Sequence, residues 1–346
     1  MVKVLHVGVG IRGGHWVDLI GRHADFEAVA LVDADEAALT RAHAAAGGAV
    51  ECFTDLSTAL DSVSADAAVI ASPSRLHAEH AMLALRAGLT VMVEKPFAET
   101  VRDAREVLRI SAECRAHVMV AENYRYRPAE RTVRRLVSES AIGRIDHAIV
   151  IDHRHMPSHT EGPWLAKMEY PQLQEIAIHH FDSLRCILGQ RPIAMDVRVW
   201  NPANSDYEHG AATEGLLRFE TARVQYVGTL CSDRFAFSLQ LEGEDGMIWT
   251  DRKRVFLRTA GRRFPRPVRN VSVPQGDGEK YPREGTTSLL DSLRDLTLSG
   301  TIPETIGMDS IWNVAMLEAG KRSDRERRLV EISEVYEGSG VDVEAG

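Results

Sequence analysis

Cysteine is scarce. There are four in 346 residues, Cys52, Cys114, Cys186 and Cys231, and no CxxC pair among them. That scatter argues against a disulfide scaffold or a cysteine zinc site and fits the reduced cytoplasm. No apolar run approaches the roughly 20 residues that a bilayer span needs. The opening MVKVLHVGVG is too short and too glycine-rich for a signal-peptide core. Positive charge is in deficit, with 41 Lys and Arg against 50 Asp and Glu, a net of −9. The imbalance argues against a chain-wide nucleic-acid or anionic-membrane binder. Repeats and low-complexity segments are also lacking. What remains is an ordinary soluble composition, 44% hydrophobic and 26% charged, in a chain long enough for two domains.

The first part alternates two patterns. Apolar segments Val2 to Val9, Phe26 to Val32, Ala67 to Ala71, Val91 to Val93 and His117 to Ala121 read as buried strands. Between them lie helical stretches Arg12 to His23, Glu36 to Ala46, Ala78 to Arg86 and Thr100 to Ala116. Such alternation predicts βαβ units and a doubly wound parallel sheet covered on both faces. After about Asn123 the rhythm changes. Helical stretches are expected at Ala129 to Glu139, Leu173 to Leu188 and Gly307 to Ser323. Short β-segments at Ala194 to Trp200, Gly215 to Phe219, Arg223 to Leu230, Ala236 to Leu241 and Arg254 to Arg258 are spaced like an antiparallel meander. The expected division is 1–122, 123–335 and a frayed tail at 336–346.

Gly8-Val9-Gly10-Ile11-Arg12-Gly13 is a GxGxxG turn placed directly after the first strand and opening the first helix. Its glycines permit a tight turn and let backbone N–H groups approach a pyrophosphate at the helix N-terminus. Asp33 ends the second strand, where a carboxylate accepts hydrogen bonds from a ribose diol. Asp35 follows, and no Arg or Lys stands beside the pair to receive a 2′-phosphate, so the expected cofactor is NAD rather than NADP. Glu94-Lys95-Pro96 comes just past the apolar run Val91 to Val93. Ligands of open α/β sheets bind outside the carboxyl ends of the strands, and a partly desolvated lysine there can exchange a proton.

Taken in order, GVGIRG, Asp33, Ser72-Pro73-Ser74-Arg75-Leu76-His77, AGLTVMVEKP, Asn123-Tyr124-Arg125-Tyr126-Arg127-Pro128, Ile142-Gly143 and Gly320 to Ser323 resemble the Gfo/Idh/MocA family. These are relatives of glucose–fructose oxidoreductase and inositol dehydrogenase. The resemblance covers nearly the whole chain. It implies an α/β protein with an N-terminal Rossmann domain and a C-terminal α/β domain carrying an open, mainly antiparallel sheet. That sheet commonly forms a homodimer or homotetramer interface. Carried over, Lys95 is the motif lysine near substrate and nicotinamide, and Glu94 lies near the nicotinamide ribose. Ser72, Ser74, His77 and Asn123 would line the cofactor together with Gly8, Gly10, Ile11, Arg12, Gly13 and Asp33. Serine stands at 74 where many members have asparagine.

Family members also carry an Asp-x-x-x-His motif on a helix of the second domain, followed by an aspartate. The matching stretch here is Glu175-Ile176-Ala177-Ile178-His179-His180-Phe181-Asp182, with glutamate in place of the usual aspartate. Pro171-Gln172 replaces the glycine pair usually found upstream. Spacing i, i+4 predicts Glu175 and His179 on one helical face. A carboxylate beside an imidazole can hold its tautomer or raise its basicity, as general-base work at an alcohol requires. The expected catalytic residues are Lys95, His179 and Glu175. The expected substrate residues add Tyr124, Arg125, His155 and Trp164.

Two clusters invite other readings. Five of the 14 histidines, His153, His155, His159, His179 and His180, fall within 153–180. They lack a recognised metal spacing, and hydrogen bonding to a polyhydroxylated substrate is the expectation rather than a metal site. Arg252, Lys253, Arg254, Arg258, Arg262, Arg263, Arg266 and Arg269 form a basic stretch opposed by Asp251 alone. Phe256 and Phe264 are a thin case for nucleic-acid binding, so a solvated strand and loop, or a contact with an acidic neighbouring subunit, is expected.

The leading functional expectation is an NAD-dependent oxidoreductase acting on a secondary alcohol of a sugar, sugar derivative or cyclitol. The alternatives are an NAD-dependent glycosidase that oxidises its substrate transiently, and a catalytically silent NAD-binding sensor like the family's galactose-gene co-repressor.

Overall fold

Six short strands of the first part all run parallel. In chain order the elements are β1 (Val2–Val7), α1 (Ile11–Arg22), β2 (Phe26–Val32), α2 (Glu36–Ala45), β3 (Glu51–Phe53) and α3 (Leu56–Ser62). β4 (Ala67–Ile70), α4 (His77–Arg86), β5 (Thr90–Val93), α5 (Val101–Cys114) and β6 (Val118–Val120) follow. The sheet order β3-β2-β1-β4-β5-β6 is that of a doubly wound Rossmann sheet. Its central strands are mainly apolar because helices cover both faces, and Val4, Leu5, Ala68, Val69, Val91 and Met92 are buried; β1 also carries the buried His6. The helices start where short polar side chains can satisfy free N–H groups. Asp35 accepts from Ala37 N, Asp55 from Thr58 N and Thr100 from Asp103 N. α1 and α4 lack such a bond, α1 with Gly10 and α4 with Leu76 at the cap.

In this computed structural model the described residues are 1–48, 50–160, 162, 164–261 and 267–337. The chain divides into two compact units, residues 1–123 with 286–314 and residues 124–285 with 315–337. The second begins with α6 (Pro128–Ser138), β7 (Ile145–His155) and α7 (Ile178–Leu188). β8 (Pro192–Trp200), β9 (Ala212–Phe219), β10 (Arg223–Thr229), β11 (Cys231–Gly243), β12 (Gly246–Thr250), β13 (Val255–Thr259) and β14 (Arg269–Val271) complete its run of strands. α8 (Thr286–Ser299), α9 (Gly307–Glu326), β15 (Val330–Glu331) and α10 (Ile332–Tyr336) end the chain. The nine-stranded sheet has the order β14-β13-β12-β11-β7-β10-β9-β8-β15. Every pairing in it is antiparallel except β7 with β10. One face is apolar and buried, with Val150, Leu217, Val224, Tyr226, Leu241 and Ile248 among its residues. Leu216, Val227 and Trp200 lie exposed in the same strands.

The expected parallel sheet and the later antiparallel meander are both present. Segment 286–314 is a correction to the expected division, because it packs with the first unit. There α8 lies against β1 and β5, and Val120 N donates to Thr305 O at 2.9 Å. The strand β7 was not anticipated beyond its histidines. Its sequence runs four apolar residues, 148–151, straight into four polar ones, 152–155, so no polar–apolar alternation marks it as a strand. Ser323, in α9, accepts from Val197 N at 2.9 Å and so fastens that helix to β8. The tail beyond residue 337, and Arg262, Arg263, Phe264 and Arg266 of the basic stretch, lie outside the described residues. No helix among the described residues is long and apolar enough to cross a membrane.

Candidate active site

In the first unit, four of the predicted segments follow the carboxyl ends of adjacent strands. Gly8 follows β1, Asp33 follows β2, Ser72 comes just after β4 and Glu94-Lys95 directly follows β5. Gly8 has φ +87°, and a Cβ on it would meet Ser72 N at 2.4 Å. A Cβ on Gly13 would lie 1.8 Å from Gly8 O, so the turn closes only without side chains. Gly10 differs, since no atom lies within 4 Å of the Cβ it lacks. That open side, at a helix start with no side-chain cap, is where backbone N–H groups can receive an anion. Ile11 is exposed beside it. Asp33 Oδ2 accepts from Val9 N at 2.8 Å and Oδ1 from Asp35 N at 3.0 Å. Asp35 itself caps α2, leaving Asp33 as the carboxylate that reaches the glycine turn.

Behind this edge, buried polar contacts fix the loops. His77 bridges two of them, with Nδ1 2.7 Å from Pro96 O and Nε2 2.7 Å from Ser72 O. Burial lowers the His77 pKa, opposed by those carbonyls. Ser74 donates to Glu99 at 3.1 Å. Glu94 Oε1 accepts from Trp16 Nε1 at 2.8 Å, Oε2 accepts from Lys95 N at 3.2 Å, and Arg12 Nε stands 3.9 Å away. Glu94 therefore ties α1 to the end of β5. Lys95 is buried, 6% exposed, and Asn123 is buried at the start of a 3₁₀ turn that runs to Tyr126.

The second unit gathers the other predicted residues. Residues Gln172–Ala177 wind as a π-helix before α7 begins at Ile178. Glu175 therefore lies on the π turn and His179 on the first α turn, a correction to the continuous helix expected over 173–188. The wider i→i+5 winding changes the phase on which the i, i+4 expectation rests. His179 is buried, and its ring stacks on Tyr124 with centroids 4.2 Å apart and planes 9° from parallel. Around the Tyr124 ring stand Arg127 Cζ at 3.4 Å and Arg252 Cζ at 4.6 Å from its centroid. Arg154 Nη2 donates to its hydroxyl at 3.2 Å. Arg125 was expected on the substrate, but Nε donates to Asp182 Oδ2 at 2.7 Å inside the unit, with both side chains buried. His155, at the exposed end of β7, lies 3.1 Å from Ser232 O through Nδ1. Trp164 is 48% exposed.

Asp152, Tyr226 and Arg252 were not singled out for the site by the sequence. Asp152 is fully buried and accepts from Arg154 Nε at 2.6 Å and Nη2 at 2.9 Å. His180 Nε2 lies 3.1 Å from Asp152 Oδ2, and its Nδ1 lies 2.9 Å from the Tyr226 hydroxyl. Gln172 donates to that hydroxyl at 2.7 Å. Burial resists the Asp152 charge, yet His180 and Arg154 hold its carboxyl well below the usual range. Burial brings His180 down to about 4, so its imidazole is neutral. Arg252 was expected in a solvated basic stretch. It instead turns inward, 6% exposed, with Nε 3.3 Å from Glu130 Oε1 and its guanidinium 3.6 Å from the Phe237 ring centroid. Two buried carboxylates supply the physical reason. Lys253 and Arg254 beside it are exposed as expected. Among the described residues no group of three His, Cys, Asp or Glu could hold a metal ion.

A dinucleotide fits the first unit's own geometry, through an open glycine at an uncapped helix start and a carboxylate hydrogen-bonded to the same turn. The comparisons with known proteins agree. The model of an oxidoreductase family with an NAD-binding Rossmann fold, Gfo/Idh/MocA, matches residues 2–122. The model of that family's C-terminal domain matches residues 131–249. An uncharacterised protein of Sinorhizobium fredii is 30% identical over 80% of this chain and 79% of its own. D-apiose dehydrogenase of Paraburkholderia graminis is 28% identical over 92% of this chain and 85% of its own. The solved structure of an oxidoreductase from Agrobacterium radiobacter, in complex with NAD+, L-tartaric acid and magnesium, has the same fold. It superposes with a TM-score of 0.84 at 19% identity, covering 96% of this chain and 98% of that one. With both domain models matched in chain order and the nucleotide cradle in place, the chain belongs to the Gfo/Idh/MocA family, as an NAD-binding oxidoreductase acting on CH–OH groups.

Proposed function

We propose that this protein is an NAD-dependent dehydrogenase of a secondary alcohol in a sugar, sugar derivative or cyclitol. The observation that carries the reading is the shared edge of β2, β1, β4 and β5, where Asp33, the glycine turn, Ser72 and Lys95 follow four adjacent strand ends. That edge is where open α/β sheets bind ligands. In this reading the first-turn N–H groups of α1 hold the pyrophosphate and Asp33 accepts from the adenosine ribose. Ser72, Ser74, His77, Glu94 and Asn123 shape the rest of the cradle. Bound NAD supplies the hydride acceptor.

The chain's own residues manage the proton and the orientation of the substrate. A carbinol that loses hydride leaves a protonated carbonyl unless its hydroxyl proton departs too, so a base must reach that oxygen. His179 takes this proton, Glu175 supports the imidazole, and Lys95 is a further acid–base group of the reaction. Tyr124, His155 and Trp164 contribute substrate contacts, while Arg125, joined to Asp182, braces α7. The test is a screen of NAD reduction across sugars, inositols and sugar acids with the purified protein. Reduction by one class supports the reading. Release of free sugar from glycosides without net reduction, or binding of NAD with no turnover on any of them, overturns it.

A further inference from the structure

We infer that Tyr124 is an ionisable positioning residue, whose anionic form holds the His179 ring in place and sets its basicity across the stacked faces. The inference rests on the reading of His179 as the base. Its observations are the near-parallel stack at 4.2 Å, the burial of both rings, and a phenol whose oxygen accepts from Arg154 while Arg127 and Arg252 lie over its ring.

Every element packed around the ring contributes to the count of charge. From α6 and its cap come Arg127, on the ring face, and Glu130. From β7 come Arg154, donating to the hydroxyl, and Asp152. From α7 come His179 and His180, the latter with its centroid 6.2 Å from Tyr124. Arg252 follows β12. Tyr281 and Glu284 precede α8, with the Tyr281 hydroxyl accepting from Arg154 Nη1 at 2.7 Å and Glu284 Oε2 lying 3.7 Å from Arg127 Nε.

Three guanidinium groups thus touch the phenol. Asp152 is already shared among Arg154, His180 and Arg252. Burial pushes Glu130 toward its protonated form, and the Glu284 side chain is 35% exposed. The phenol oxygen, which accepts from Arg154, is a further acceptor that can answer the surplus. Burial disfavours its charge and Asp152 repels it, but Arg127, Arg154 and Arg252 outweigh both and bring the phenol down to about 7. Tyr281 moves the other way, raised by burial and by Tyr124, so one of the two phenols ionises first.

A negative ring stacked on an imidazole favours the imidazolium, which is the state His179 reaches when it accepts a proton. Tyr124→Phe keeps the ring and removes the charge. The direct test needs no substrate. Ultraviolet titration of the full-length protein, reading the phenolate band, is expected to show one tyrosine ionising near neutral pH, absent in Tyr124→Phe and retained in Tyr281→Phe. If no tyrosine ionises below pH about 9, the proposal is overturned. In turnover, Tyr124→Phe is expected to lower kcat about tenfold or more with little change in KM, and to move the acidic limb of the pH profile down. An unshifted profile with normal kcat also overturns it. His179→Ala separates the two readings, since an active His179→Ala removes the assignment of the base while the titration still decides the state of Tyr124. If Tyr124→Phe fails to fold, the titration of the unaltered protein and of Tyr281→Phe still decides the matter.

Discussion

Asp33 Oδ2 accepts a hydrogen bond from Val9 N at 2.8 Å, so the carboxylate that ends β2 is fastened to the glycine turn that ends β1. The same group orders the turn and presents negative charge at the proposed ribose position. A 2′-phosphate placed there would meet that charge, and no basic residue adjoins it in sequence. NAD is therefore expected to bind about tenfold or more tighter than NADP. Fluorescence titration of both dinucleotides checks this, and equal affinity counts against it. Asp33→Asn is expected to narrow the gap while keeping the Val9 contact, whereas Asp33→Ser loses both.

Lys95→Ala and His179→Ala are each expected to lower turnover by about 10² or more, the scale for loss of a general acid–base group. Dinucleotide affinity should change much less, because the proposed reading gives most of that contact to the glycine turn and Asp33. Glu175→Gln is expected to cost less than His179→Ala if the glutamate only orients the imidazole. Steady-state kinetics on the identified substrate decide it. Near-normal turnover in both alanine variants removes the assignment.

Much of the nucleotide cradle was legible because its determinants are local in sequence. Gly8 to Gly13 must be glycine-rich for a backbone reason, and Lys95 follows a short apolar strand. The network around Asp152 was not legible, because it joins residues that meet only when the sheet forms. Arg252 and Asp152 are 100 positions apart. One signal was present: in β7 the buried face runs from Ala148 and Val150 into Asp152 and Arg154, charged residues continuing an apolar alternation. Arg252 was hidden by its exposed neighbours Lys253 and Arg254, since a run of charge does not say which member turns inward. The π winding at Gln172–Ala177 leaves no mark in hydrophobic spacing, so Glu175 and His179 read as one α-helix.

The Arg125–Asp182 pair gives a stability prediction. Both side chains are buried, and Arg185 Nη1 adds a third charge 3.6 Å from Asp182 Oδ1. Removing one partner of a buried pair leaves an uncompensated charge, at a cost of about 3–5 kcal/mol. Asp182→Ala, which leaves two guanidinium groups facing a void, is expected to reach that range in urea denaturation. A loss under about 1 kcal/mol would mean that solvent reaches the pair.

The sheet of the second unit leaves Leu216, Val227 and Trp200 exposed in the neighbouring strands β9, β10 and β8, beside exposed polar residues such as Glu214 and Gln225. We propose that this surface joins copies of the chain into a dimer or tetramer. Leu216→Arg with Val227→Glu is expected to shift the species toward monomer in light scattering. A wild-type chain that is monomeric at micromolar concentration rejects the proposal.

Stability should also fall with acid from about pH 6.5 downward, and His6 is the reason in the first unit. His6 lies in β1 beneath the glycine turn and is completely buried. Burial lowers its pKa from 6.5 to about 4, partly opposed by the backbone of Gly13 and Gly8 and by the charge of Asp33. Between those values the unfolded chain binds a proton that the folded chain does not. Stability therefore rises with pH across the window and is lost as pH falls through it, at about 1.4 kcal/mol per unit for one histidine. The whole window is worth about 3 kcal/mol for His6. His180, also lowered to about 4, acts in the same direction in the second unit. Asp152, whose carboxyl is held low, adds its loss only in stronger acid. Glu130, raised by burial, works in the opposite sense and recovers a little stability as acid protonates it. His6→Leu keeps a similar volume without the proton site. Urea denaturation at a series of pH values is expected to show a shallower acid slope in this variant, and slopes equal to wild type would mean that His6 is protonated in the folded protein.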